Sequence, residues 1–219
     1  MGKGLEKEFG RDRIKRKIVV AIINYGLGNL ASIKNMFKKI GVESIITSNP
    51  EEIYKADRLL LPGVGHFAKG MENLHKSGLI PVLEECILEK QKPVLGICLG
   101  MQLITLGSEE GSSEGLGWID AYTRKFSFED NNFKIPHMGW SHVSYRNETI
   151  SSQLIPNPRY YFVHSYHVIC SNEENVLATC DYSYTFHCGI QKGNIYGVQF
   201  HPEKSHKHGM SLLSAFSKI

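Results

Sequence analysis

The 219-residue chain has no C-x-x-C pair, and its five cysteines (Cys86, Cys98, Cys170, Cys180 and Cys188) are an odd number. That argues against a disulfide framework and a zinc knuckle, and for a reducing compartment, the cytoplasm. No apolar segment approaches the roughly 20 residues that a membrane span requires. Excess charge is also missing. The net charge is +3, but residues 1–17 carry +4 and the rest of the chain −1, so the body offers no nucleic-acid footprint. The lead segment, MGKGLEKEFGRDRIKRK, lacks the apolar core of a secretory signal, and residues 1–16 read as a basic, disordered or partly helical extension. The glycine turn NYGLGN (24–29) lacks the third glycine of a dinucleotide fingerprint, and no acidic residue ends the second strand. It reads as a packing turn.

What is present alternates. KIVVAII (17–23), VESIIT, RLLLPG and KPVLGIC are apolar, strand-like runs. Between them, LASIKNMFKKIG places Leu30, Ile33, Met36, Phe37 and Ile40 at helical spacing before Gly41, and residues 70–90 read as one long amphipathic helix. Buried strands alternating with helices predict a mostly parallel central sheet covered on both faces. After about residue 107 the pattern changes. GSEEGSSEGLG reads as a loop, and HVSYR, YYFVHSYHVI, VLATCDY and FHCGIQKGNIYGVQF read as short strands of an added antiparallel portion. HGMSLLSAFSKI closes the chain as a helix. No repeat and no long linker divides residues 17–219, which predicts a single domain.

Gly96-Ile97-Cys98-Leu99-Gly100 has the form of a strand-to-helix nucleophile elbow. There a thiol points into the opening above the sheet, a helix N-terminus favours the thiolate, and the Leu99 N–H is free for an oxyanion. A lone cysteine ending an apolar run is more often a buried, inert small hydrophobe. The nucleophilic reading requires a base. GVQFHPEKS (197–205) offers one: in an extended segment His201 and Glu203 project together, with Pro202 stiffening the link. A third stretch, LLLPGVGHF (59–67), ends a strand in Pro62-Gly63-Val64-Gly65, where backbone N–H groups can approach a substrate.

In this order and spacing, PGVG, GICLGMQ and GVQFHPEKS resemble a class I (triad-type) glutamine amidotransferase, with the flavodoxin-like fold of that family. PHMGW (136–140) and YFVHSY (161–166) narrow the likeness to glutaminase subunits of imidazole glycerol phosphate synthases. The resemblance runs from about Lys17 to the C-terminus. It implies Cys98 as nucleophile, His201 as general base and acid, and Glu203 as orienting carboxylate. It also implies an oxyanion hole from Leu99 and the Gly63, Val64 and Gly65 strand, and Gln102 as a substrate-binding residue. Glutamine is then hydrolysed to glutamate and ammonia, with no cofactor and no metal. The ammonia passes to a (β/α)8-barrel synthase subunit in a heterodimer that makes imidazole glycerol phosphate and aminoimidazole carboxamide ribonucleotide for histidine biosynthesis. Met138, Trp140 and Tyr161 fall on the docking face, and the partner is needed for activity. The chain departs from the family pattern at Asn24 and Ser141, outside the triad. One alternative keeps the glutaminase and changes the acceptor: a paralogous subunit feeding a sugar-amidinating enzyme of surface-polysaccharide biosynthesis. A cysteine peptidase or esterase on the same elbow would have no need of the PGVG strand together with Gln102.

Overall fold

The computed structural model describes residues 17–129, 132–146 and 148–219. The basic extension at 1–16 lies outside the described residues. The chain begins β1 (Val19–Ile23), α1 (Leu30–Lys39), β2 (Glu43–Thr47), α2 (Pro50–Lys55), β3 (Arg58–Gly63) and α3 (Phe67–Ser77). It continues α4 (Ile80–Glu84), a π-helical turn (Glu85–Glu89), β4 (Val94–Cys98) and α5 (Leu99–Leu103). Then come β5 (Gly107–Ser108), β6 (Ser113–Glu114), β7 (Ala121–Lys125), β8 (His137–His142), β9 (Ser144–Tyr145) and α6 (Glu148–Ser151). The last elements are β10 (Arg159–His164), β11 (Tyr166–Cys170), β12 (Val176–Tyr182), β13 (Tyr184–Lys192), β14 (Ile195–Val198) and α7 (His206–Phe216).

The strands β2-β1-β3-β4-β14 are parallel and lie in that order, with β13, β11 and β7 continuing the sheet beyond β14 and β5 and β6 at its edge. The order is that of a doubly wound sheet, whose ligands sit at the C-terminal ends of the strands. Side chains of one strand feed opposite faces because the pleat has period two. On β1, Ala21 and Ile23 face α2, α3, α4 and α5, while Val20 and Ile22 face α1 and α7. This is the covered parallel core with an antiparallel extension that the sequence predicts. Arg58, buried at the start of β3, donates to the backbone oxygens of Phe216 and Ile219 and fastens α7 to the sheet.

Several local readings need correction. The single helix over 70–90 is broken: α3 starts at Phe67 and ends at Gly78, which takes a left-handed φ of 68°, and α4 restarts with Pro81 in its first turn. The loop after residue 107 contains a minimal antiparallel pair, Gly107 with Glu114 and Ser108 with Ser113. YYFVHSYHVI is two strands. It divides at Ser165, because β10 pairs with β8 in a separate two-stranded sheet while β11 joins β7 and β13 in the large one.

Candidate active site

Cys98 ends β4 in the centre of the sheet, opposite Gly63 on β3. Its backbone has φ 52° and ψ −109°, a conformation that costs a non-glycine residue free energy and is held here by the surrounding packing. A Cβ on Gly100 would sit 1.8 Å from the Leu61 carbonyl oxygen, and one on Gly96 2.7 Å from the Gly100 oxygen. The elbow therefore requires glycine on both sides of the cysteine. We expect Gly100→Ala to cost about 3 kcal/mol or more, since the obstacle is backbone and cannot rotate away. Chemical denaturation reads this directly, and wild-type stability in the variant would mean that the elbow is looser than described.

The thiol opens into a cleft of about 540 Å³ lined by Val64, Gly65, Leu99, Gln102, His164 and His201, with Glu110, Tyr166 and Lys204 among its other walls. Val64 is exposed, and Gly65 has a φ of 106°, open only to glycine at low cost. Gly63 remains in the sheet and does not line the cleft. The Tyr25 hydroxyl donates to the Pro62 carbonyl at 2.8 Å and steadies the strand where it leaves the sheet.

His201 is 2% exposed, and its Nδ1 lies 2.8 Å from Glu203 Oε1. The pair forms by a different route from the extended one expected. Pro202–Lys204 is a 3-10 turn, with Lys204 N–H donating to the His201 carbonyl, and the turn swings the carboxylate back onto the ring. Burial opposes a charge on the imidazole. Hydrogen bonds to Cys98 and Glu203, and the negative charge of both, outweigh it and raise the His201 pKa from 6.5 to about 10. The second carboxylate oxygen, Glu203 Oε2, is buried without a partner among the described residues. The turn is also tied to β10: His201 N–H donates to the Tyr161 carbonyl at 2.9 Å, and Tyr161 N–H to Ser205 Oγ at 3.0 Å.

Gln102 stands one helical turn past Cys98, buried, with Nε2 donating to Gln199 Oε1 at 3.0 Å and to the Tyr166 carbonyl at 3.3 Å. Gln199 Nε2 donates in turn to Cys98 Sγ at 3.7 Å. Sequence reading passed over Gln199, although its position two residues before His201 on a strand exit puts both side chains on one side. It also passed over Glu110, whose Oε2 accepts from Phe67 N–H at 2.7 Å, and YFVHSY gave no sign that residues 163–166 wall the cleft. Met138, Trp140 and Tyr161 share the outer face of the small sheet, with Trp140 opposite Tyr161 and Met138 opposite Val163. Met138 is 61% and Trp140 42% exposed.

A cysteine, a charged imidazole and a buried carboxylate around one cleft are equipped for acyl transfer through a thioester. The family model described as glutamine amidotransferase class-I matches residues 21–218. The chain is 54% identical over 201 residues to imidazole glycerol phosphate synthase subunit HisH 2 of Methanococcus maripaludis, covering 91% of this chain and 99% of the relative. It is 45% identical over 202 residues to the HisH 2 subunit of Pseudomonas aeruginosa, covering 92% and 100%. The structure of PurLQS from Thermotoga maritima superposes with a TM-score of 0.71 at 15% identity, over 92% of this chain and 98% of that one, a likeness of fold. With a family model spanning nearly the whole described chain, and relatives this similar from end to end, the chain belongs to the glutamine amidotransferase class-I family.

Proposed function

We propose that this chain, as one amidotransferase domain over residues 17–219, is the cytoplasmic glutaminase subunit of an imidazole glycerol phosphate synthase in histidine biosynthesis. The observation that carries the chemistry is the buried His201–Glu203 pair facing the strained Cys98 in one cleft. The Cys98 thiolate attacks the side-chain carboxamide carbon of glutamine. The resulting oxyanion is held by the Leu99 N–H and by the backbone at Val64 and Gly65, with Gly63 anchoring that segment in the sheet. His201, charged, gives its proton to the departing nitrogen; ammonia leaves and a glutamyl thioester remains on Cys98. A water then loses a proton to His201 and attacks the thioester, releasing glutamate and restoring thiolate and imidazolium. Glutamine and water are thereby converted to glutamate and ammonia, and no other reactant is needed. Gln102 accepts a hydrogen bond from the substrate, and the Glu110 carboxylate pairs with its α-ammonium group.

The ammonia is delivered to a (β/α)8-barrel synthase subunit that docks on the β8–β10 sheet. This reading is supported by the exposure of Met138 and Trp140 beside a cleft whose wall includes Val163 and His164 of the same sheet. Trp140 is held for contact: it stacks on His206 with centroids 5.7 Å apart, and the Arg159 guanidinium lies 5.6 Å from its ring. The names of the relatives do not favour the sugar-amidinating alternative. Among the described residues no helix is long and apolar enough to cross a membrane.

The test is to mix the chain with the synthase subunit and its nucleotide substrate and to follow glutamate and imidazole glycerol phosphate together. Equal yields support the reading, and glutamate without the imidazole product refutes the assignment of the acceptor. Trp140→Ala should weaken docking by about 2 kcal/mol, roughly thirtyfold in Kd, as loss of a central aromatic anchor does. An unchanged calorimetric titration would remove Trp140 from the interface.

A further inference from the structure

From the cleft wall inward runs a chain of polar groups, Tyr166, His164, His137 and Ser141, that the reaction above does not use. Tyr166 contributes only its carbonyl oxygen, which accepts from Gln102 Nε2 and lies 2.8 Å from His164 Nδ1. A carbonyl cannot donate, so His164 must carry its proton on Nδ1. Burial holds His164 far below the usual value, at about 3, so the ring is neutral and its Nε2 is an acceptor. The group 3.1 Å from that nitrogen is His137 Nδ1, which must therefore be the donor. Burial also lowers His137, to about 4, leaving its Nε2 to accept from the Ser141 hydroxyl at 3.0 Å. One carbonyl thus fixes both tautomers. It fixes the other arm too: with Nε2 of Gln102 turned to Tyr166 and Gln199, its Oε1 is the end left for the cleft. Gln199, accepting from Gln102, has its Nε2 left for the Cys98 sulfur.

We propose that His137 and His164 are positioning residues for the glutaminase reaction. With His164 donating to the Tyr166 carbonyl, they hold in place the oxygen that orients the Gln102 and Gln199 side-chain amides, so that Gln102 presents an acceptor to substrate and Gln199 a donor to the nucleophile. A reversed His164 would bring no donor to that carbonyl, and the wall would lose the bond that ties His164 to Tyr166. The inference rests on the glutaminase reading.

His137 is the residue to change, because it lies outside the cleft and is stacked between Phe162 and Tyr182, with centroids 4.8 and 4.1 Å away. His137→Phe keeps the stack and removes both ring nitrogens, whereas His137→Asn keeps a donor near the Nδ1 position. Assembled with the synthase subunit, H137F should raise KM for glutamine about five- to tenfold, the loss of one buried hydrogen bond, with kcat changed less than about threefold. H137N should recover most of that loss, and ammonia-dependent turnover should match wild type in both. An unchanged KM in H137F, or equal losses in H137F and H137N, overturns the relay. A wild-type complex that releases no glutamate overturns the glutaminase reading instead, before any variant is considered. Long-range proton–nitrogen spectra of the full wild-type chain at pH 6.5 provide a check that needs no variant. Neutral rings protonated on Nδ1 at both His137 and His164 are expected, and an Nε2–H tautomer at either refutes the proposal.

Discussion

Cys98→Ser is expected to lower glutamine-dependent turnover of the assembled enzyme by about 10³-fold or more, while turnover with added ammonia stays at the wild-type level. The substitution changes one atom at a position where little else can change. Serine fits the same elbow, with φ at 52° and glycines on both sides, so the sheet, the cleft and the docking face are preserved. What is lost is the nucleophile, because a hydroxyl paired with His201 is far less acidic than a thiol. The ammonia-dependent rate is the internal control for the synthase site, since added ammonia bypasses the glutaminase, and assembly of the complex is checked separately. Loss of both rates with the complex still assembled would contradict separate glutaminase and synthase centres. Retention of the glutamine rate would remove Cys98 from the reaction.

Glu203→Gln is expected to reduce glutamine hydrolysis by about 10²-fold and to move the alkaline limb of its pH profile to lower pH. The carboxylate is 2% exposed and 2.8 Å from His201 Nδ1, so its charge acts on the imidazolium with little solvent between them. A hydrogen bond to a charged partner contributes about 1.5–3 kcal/mol, which corresponds to about one to two pH units. His201 is raised in the folded protein, so its proton is lost only as pH climbs toward about 10. Above that point no general acid remains for the departing nitrogen, and the rate falls. Glutamine at position 203 fills the same space without the charge, so the imidazolium deprotonates at lower pH. Stability follows the same sign. In the wild type the pairing contributes fully below the ordinary histidine value near 6.5 and fades as pH rises through the raised one. In E203Q the fade should be smaller and complete at lower pH, which thermal unfolding across pH 7–10 would read. An alkaline limb that stays in place would mean that a group other than His201 sets it.

Much of this site is legible in the residues themselves, because its parts are local. The elbow is written in Gly96 and Gly100, where any side chain would meet backbone, and the core strands in their short apolar runs. His201 and Glu203 are recognisable as a pair, although the extended geometry that makes them adjacent on paper is replaced by a 3-10 turn begun by Pro202. The long helix over 70–90 failed because the periodic apolar pattern outweighed Gly78 and Pro81, which are helix-ending signals in the same stretch. The break at Ser165 has no such local mark. It exists because the residues on either side find different partners, Met138 on β8 for Val163 and Lys125 on β7 for Tyr166. The relay through His164 and the contact from Gln199 to Cys98 are likewise tertiary. The contacts that join their segments, His137 to His164 and Cys98 to Gln199, span 27 and 101 positions along the chain, and no spacing rule brings those segments together.

The central claim, that Cys98 carries the glutamyl group between amide cleavage and hydrolysis, is tested most directly by intercepting the thioester. The assembled enzyme is given glutamine in the presence of hydroxylamine, and the products are separated. The account predicts γ-glutamyl hydroxamate at the expense of glutamate, with ammonia release undiminished and no hydroxamate from Cys98→Ser. Glutamate as the sole product, at the same rate at every hydroxylamine concentration, would contradict it.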